Sequence, residues 1–141
     1  MLHGLKTEEP TNLQAMLITM DQYGPDFYLT GSRFFENVSP HSDYDFFCAD
    51  TKLVREWLDI NGFCPVSAEK VRENYLGDSI VTEIWRRSFS DNTIDIQLTT
   101  NLALKIKAND FIKRFYTLLD FESLNKSERK TLWSKVVKEL T

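Results

Sequence analysis

Only two cysteines and two histidines occur in the 141 residues. Cys48 and Cys64 sit among apolar neighbours, so both are expected to be buried reduced thiols, and no Cys/His spacing suits zinc. Buried thiols are thereby favoured over a disulfide framework. No run approaches eighteen consecutive apolar residues, and Met1–Lys6 lacks the basic start and long apolar core of a signal peptide. These absences predict a cytoplasmic protein with no membrane association. Excess positive charge is missing too: the net charge of −4 argues against a broad basic surface that coats nucleic acid, though it leaves room for a local basic pocket. Repeats, low-complexity tracts and linkers are also absent, and 141 residues suit a single domain with one sizeable core.

What the chain does have is concentrated in Phe27–Phe47, FYLTGSRFFENVSPHSDYDFF. A short apolar run, Phe27 to Thr30, ends at Gly31-Ser32 and leads into residues that can begin a helix. The stretch closes on Ser42-Asp43-Tyr44-Asp45-Phe46. Residues two apart on a strand share a face, so Asp43 and Asp45 project together. Two carboxylates held side by side repel, and a divalent cation relieves the repulsion. A third acid, Asp95, lies in the alternating segment Thr93–Leu98 on the face opposite Ile94 and Ile96. Laid beside the first acid strand, it would bring three carboxylates to one edge of a sheet, where hard cations such as Mg²⁺ join carboxylates to phosphates.

Gly31-Ser32, ten intervening residues, Asp43-x-Asp45 and a later strand Asp95 form a pattern that resembles the signature of the DNA polymerase β-like nucleotidyltransferase superfamily. The pattern is most similar to that of the minimal nucleotidyltransferases, GSRA-R-G followed by SD-x-D. Here Gly31-Ser32-Arg33 and Ser42-Asp43-Tyr44-Asp45 stand at that separation, with Phe34 in place of the small residue and Glu36 in place of the second glycine. The likeness covers roughly residues 25–100. It implies an α/β (α+β) nucleotidyltransferase fold with a small mixed β-sheet backed by helices on one face. It also implies an enzyme that moves a nucleoside monophosphate from an NTP, such as ATP, to a hydroxyl and releases pyrophosphate. Asp43 and Asp45 would bind two Mg²⁺ ions, or Mn²⁺, and Asp95 would complete the first metal's site.

Gly31 and Ser32 would meet the phosphates through the backbone N–H groups of the helix start, with the Ser32 hydroxyl serving either as a phosphate donor or as a helix cap. Arg33 faces either the triphosphate or solvent. Lys105 is a weak candidate for the triphosphate, and His41 fits a loop better than a hard-metal site. One of Arg86 and Arg87, which point to opposite faces of their strand, is expected to line the cleft. By the same resemblance the acceptor is a protein, RNA or small molecule, and a helical partner protein in a toxin–antitoxin pair is implied. The acidic balance favours a protein or small molecule over RNA. The competing reading is a non-catalytic protein of the same fold that binds a partner or senses a nucleotide.

Around that core, helical spacing of Leu13, Met16, Leu17 and Met20 predicts a first helix capped by Thr11 or Asn12 and ended near Gly24-Pro25. The stretch after Gly31-Ser32 reads as a helical turn to about Glu36 and a loop over 37–41. Thr51 caps a helix whose stripe is Leu53, Val54, Trp57, Leu58 and Ile60, with Gly62 at its end. Phe63–Ser67 reads as a short strand, Val71–Leu76 is ambiguous, and Gly77-Asp78 is a turn. Ile80–Phe89 and Thr93–Thr99 read as an antiparallel hairpin, with Glu83 solvated or in the site. Asn101 caps a helix burying Leu102, Ile106, Phe111, Phe115 and Leu118-Leu119, and a last helix docks through Trp133, Val136, Val137 and Leu140.

Overall fold

The computed structural model describes residues 12–34, 43–66, 81–90, 92–119 and 124–140. The expected loop over 37–41, Ser42, Val71–Leu76, the Gly77-Asp78 turn and the side chains of Ser32, Arg33, Phe115 and Leu118-Leu119 lie outside the described residues. In chain order the elements are α1 (Leu13–Tyr23), β1 (Tyr28–Thr30), α2 (Gly31–Phe34), β2 (Tyr44–Ala49) and α3 (Lys52–Ile60). They continue with β3 (Cys64–Pro65), β4 (Val81–Ser88), β5 (Thr93–Thr99), α4 (Leu102–Leu119) and α5 (Lys126–Leu140). The five strands form one mixed sheet ordered β1-β2-β5-β4-β3, in which β2 and β5 run parallel and every other pair is antiparallel. The chain is thus α+β with a mixed sheet, and among the described residues no helix is long and apolar enough to cross a membrane.

Local signals start the helices. The Asn12 side chain accepts from the Ala15 N–H at 2.8 Å, Thr51 from Val54 at 3.1 Å, and Asn101 from Leu104 at 3.1 Å. Each satisfies a backbone donor that the first helical turn leaves unpaired. At α5, Asn125 and Glu128 exchange bonds at 2.9 and 3.0 Å, a reciprocal capping box.

Alternation along the strands sorts the sheet into two faces. Ile94, Ile96 and Leu98 are fully buried with Cys48, Trp85, Met16, Met20, Val54, Leu58 and Phe63, so α1 and α3 cover that face. Burial pushes the Cys48 thiol up to about 11, whereas Cys64 is exposed, against the expectation of two buried thiols. On α3 only Val54 and Leu58 are buried, while Leu53 and Ile60 are 77% and 72% exposed. Trp57 joins the core at its margin, its ring 5.4 Å from that of Phe27.

A polar clamp fastens α3 to this face. Arg55 donates to both Asp50 oxygens at 2.7 and 3.1 Å and to Glu83 at 2.6 Å, and Glu83 also accepts from the Trp85 indole at 2.6 Å. Glu83 is therefore neither freely solvated nor beside the acids; it pairs with Leu98, which puts it on the face that α3 covers, just after the register shift between Val81 and Glu83. The Arg55 hydrogen bond, helped by that of Thr82, holds the Asp50 carboxyl below its ordinary 3.8. A depressed folded value means stability that is present above the unfolded value and is lost as pH falls through the folded one. The gap in urea-unfolding free energy between the wild type and Asp50→Asn is therefore expected to be widest at neutral pH. It should narrow as pH drops below about 4; a gap that stays constant into acid would refute the clamp's contribution.

Helices cover the other face as well, which a sheet backed on one side only did not anticipate. Lys105 of α4 bonds Gln97 of β5 at 3.1 Å, and Asn109 accepts from Thr30 of β1 at 3.2 Å. A second apolar cluster of Leu104, Ala108, Ile112, Val136 and Val137, flanked by Trp133 and Leu140, joins α4 to α5. The α5 docking residues match expectation. On α4 the stripe is shifted: Leu104, Ala108 and Ile112 are buried, Leu102 and Ile106 are half-buried, and Phe111 is 44% exposed.

Candidate active site

Register builds the site. In a parallel pair, residues in register share a face, and β2 and β5 match Asp45 with Asp95. On the outer sides of this pair, β1 brings Thr30 opposite Asp45 and β4 brings Arg86 opposite Asp95. One row across four strands therefore reads Thr30, Asp45, Asp95, Arg86. The next row on the same face reads Tyr28, Phe47, Gln97, Ile84. Asp43 stands two residues before Asp45 at the entry to β2 and is exposed.

Gly31 closes the row from the β1 end. Its φ is +69°, a conformation that side chains with a Cβ adopt at a cost. A Cβ there would lie 3.0 Å from both the Cβ and Cγ of Asp45 and would run into the carboxylate. The space that glycine leaves empty is filled by Asp45. Glycine is thus required here by the acid as well as by the turn, a demand that the sequence does not advertise.

Arg86 donates from Nε to one Asp95 oxygen at 2.6 Å and from Nη2 to the other at 3.0 Å. This bond to Asp95, and then the charges of Asp95, Asp43 and Asp45, raise the guanidinium above its ordinary value against the opposing effect of burial. All three acids thus act on one cation. Arg87, on the other face, donates to the Asn61 carbonyl at 2.6 Å and lies over the Phe89 ring. Of the two arginines, it is Arg86 that shares the face of the acids.

Beneath the row runs α4. Lys105, Asn109 and Lys113 are four residues apart and share a stripe. Lys105 is 1% exposed, bonded to Gln97 with its ammonium 4.2 Å from the Trp133 ring centre and 5.3 Å from that of Phe47. The structure therefore places this candidate under the sheet face and not on an open surface. Asn109, 2% exposed, accepts through its oxygen from Thr30, and among the described residues its Nδ2 has no hydrogen-bond partner. Lys113 sits 4.5 Å from the Phe34 ring of α2, near the Gly31 turn. Neither Asn109 nor Lys113 was singled out from the sequence, and their spacing from Lys105 is the signal that would have found them.

No family model, no curated protein and no solved structure matches the chain. What the site can do is therefore argued from its own atoms.

Carboxylate oxygens are the donors that Mg²⁺ takes, and Asp45 and Asp95 stand side by side with Asp43 adjacent in the chain. Among the described residues, however, no group of three Asp, Glu, His or Cys side chains is gathered closely enough to hold a metal ion as it stands. Arg86 engages both oxygens of Asp95. The donor set fits a hard divalent cation in kind and in register, on condition that this guanidinium gives way.

Proposed function

We propose that the chain is a Mg²⁺-dependent nucleotidyltransferase of the polymerase β-like fold, transferring a nucleoside monophosphate from an NTP to a hydroxyl with release of pyrophosphate. The observation that carries this reading is the in-register pair Asp45 and Asp95 on neighbouring parallel strands, with Gly31 packed against the Asp45 carboxylate.

Asp43, Asp45 and Asp95 would hold the metals, which when bound supply Lewis-acid activation of the acceptor hydroxyl and neutralise the leaving pyrophosphate. The rest falls to the chain. By the resemblance, the Gly31-Ser32 turn, which begins a helix beside the acids, would offer its N–H groups and the Ser32 hydroxyl to phosphate oxygens. Arg33 follows that turn in the chain and the Lys113 ammonium stands over the Phe34 ring of α2, and both would suit the triphosphate. Buried Lys105 supports the second row, and through it the acid strands, from below. Among protein, RNA and small-molecule acceptors, the acidic balance of the chain favours a protein or small molecule.

A second reading has one observation in its favour. Arg86 already satisfies Asp95 with two charge-assisted bonds, as a fold that binds a partner or senses a nucleotide without chemistry would arrange it. Incubating the protein with Mg²⁺, cell extract and α-labelled ATP, CTP, GTP or UTP separates the two. Label is expected to appear on an acceptor with the wild type and to vanish with the double variant Asp43→Ala, Asp45→Ala. Labelling that survives the double substitution would remove the mechanism, and no label from any of the four nucleotides would favour the non-catalytic reading.

A further inference from the structure

The Arg86–Asp95 pair and the proposed reaction compete for the same two oxygen atoms. A metal ion bound by Asp95 needs at least one of them, and the guanidinium fork takes both, at 2.6 and 3.0 Å. We propose that Arg86 is an exchangeable cation of the site: it holds Asp95 until a nucleotide arrives with its metals, then turns to the triphosphate. This rests on the nucleotidyltransferase reading and extends it to a positioning residue.

Three features of the chain support an exchange rather than a permanent lock. The Arg86 backbone stands opposite Asp95 in the β4–β5 ladder, its guanidinium is held by the Asp95 carboxylate, and its side chain is 37% exposed while that of Asp95 is 13% exposed. The guanidinium thus lies on the open side of the pair and can swing outward on its flexible stem without disturbing the sheet. Second, the field that draws it in comes from Asp43 and Asp45 as well as Asp95. Once divalent cations neutralise those carboxylates, that attraction becomes repulsion. Third, arginine stays charged at any pH the protein will meet, so the displaced group must find another anion, and the planar fork that fits a carboxylate fits a phosphate equally well. A triphosphate arriving at the Gly31 turn supplies that anion on the same sheet face. The exchange makes metal binding depend on nucleotide, because metal alone must break the pair with nothing to compensate the guanidinium.

The test reads Mn²⁺ binding directly, by electron paramagnetic resonance, and so does not depend on turnover. Wild type, Arg86→Gln, Arg86→Lys and the Asp43→Ala, Asp45→Ala double variant are titrated alone and with the α,β-imido analogues of ATP, CTP, GTP and UTP in turn. Wild type is expected to bind Mn²⁺ weakly alone and about tenfold or more tightly with an analogue, the scale set by two charge-assisted hydrogen bonds. Arg86→Gln is expected to bind Mn²⁺ alone about tenfold more tightly than wild type and the analogue about tenfold more weakly. Arg86→Lys, which keeps the charge but loses the fork, should fall between. Should Arg86→Gln fail to fold by thermal melting, the lysine variant decides alone through the same gain in metal affinity. Mn²⁺ affinity equal to or below wild type in the Arg86 variants, with the double variant unable to bind, would overturn the exchange and leave the enzyme reading standing. Mn²⁺ binding unchanged in the double variant, or absent from every protein with every analogue, would bring down both.

Discussion

Asp45→Asn is expected to lower nucleotidyl transfer about a thousandfold or more, the scale on which one well-placed electrostatic group acts in a preorganised site. The melting temperature should stay within a few degrees of wild type. The argument is positional. Asp45 is central in its row, flanked by Thr30 on one side and Asp95 on the other, with Gly31 against its carboxylate. Asparagine preserves its size and the packing of the row but removes the charge that a metal would need. Asp95→Asn supplies the contrast. It should cost a similar factor in rate and also weaken the Arg86 pair, lowering stability by about 1 kcal/mol because that pair is partly exposed. Initial rates with labelled nucleotide and parallel thermal melts measure both. Asp45→Asn that keeps its rate within about tenfold of wild type would fall well short of the expected loss and would place the chemistry elsewhere.

Much of this row was legible in the sequence because its determinants are local. An Asp-x-Asp on a strand must put both acids on one face, and the alternation of Thr93–Thr99 fixes the side of Asp95 before any partner is known. Helix starts were legible for the same reason, since Asn12, Thr51 and Asn101 each cap a helix through a bond three residues long. Hairpin register was within reach but not drawn: pairing Ser88 with Thr93 across the short connection forces Arg86 opposite Asp95, and so selects Arg86 over Arg87.

What the sequence hid are the facts that depend on a second partner. On α3, Leu53 and Ile60 lie about 100° and 120° round the helix from Val54, both on the side away from Leu58, so they fall clear of the strip that the sheet covers and stay exposed. On α4, one stripe of Leu104, Ala108 and Ile112 meets α5, while Lys105 and Asn109 meet the sheet. A helix lodged between a sheet and another helix buries two faces. Where the sheet face is polar, the helix face that covers it carries lysine and asparagine, which composition alone assigns to solvent. Lys105 and Asn109 were hidden for that reason.

Gly31→Ala is the second large effect, and its control is built into the same chain. Alanine at φ +69° costs about 1–2 kcal/mol from the left-handed backbone alone. Its Cβ would also lie 3.0 Å from the Asp45 Cβ and Cγ, atoms close to a backbone held by β1 on one side and β5 on the other. The sheet cannot move aside, so the Asp45 carboxylate must rotate out of the row. Gly62→Ala pays the same kind of backbone cost at φ +81°, but there the atoms nearest the added Cβ belong to the guanidinium end of Arg87, at 3.2 Å and beyond, a group that can shift. Both variants are expected to melt about 5 °C or more below wild type, given the usual fall in melting temperature per kcal/mol for a chain of this size. Only Gly31→Ala should also lose Mn²⁺ and nucleotide binding and, with them, transfer. Equal transfer activity in the two glycine variants, compared at a temperature where both are folded, would mean that the place of the Asp45 carboxylate beside the turn does not matter to the reaction.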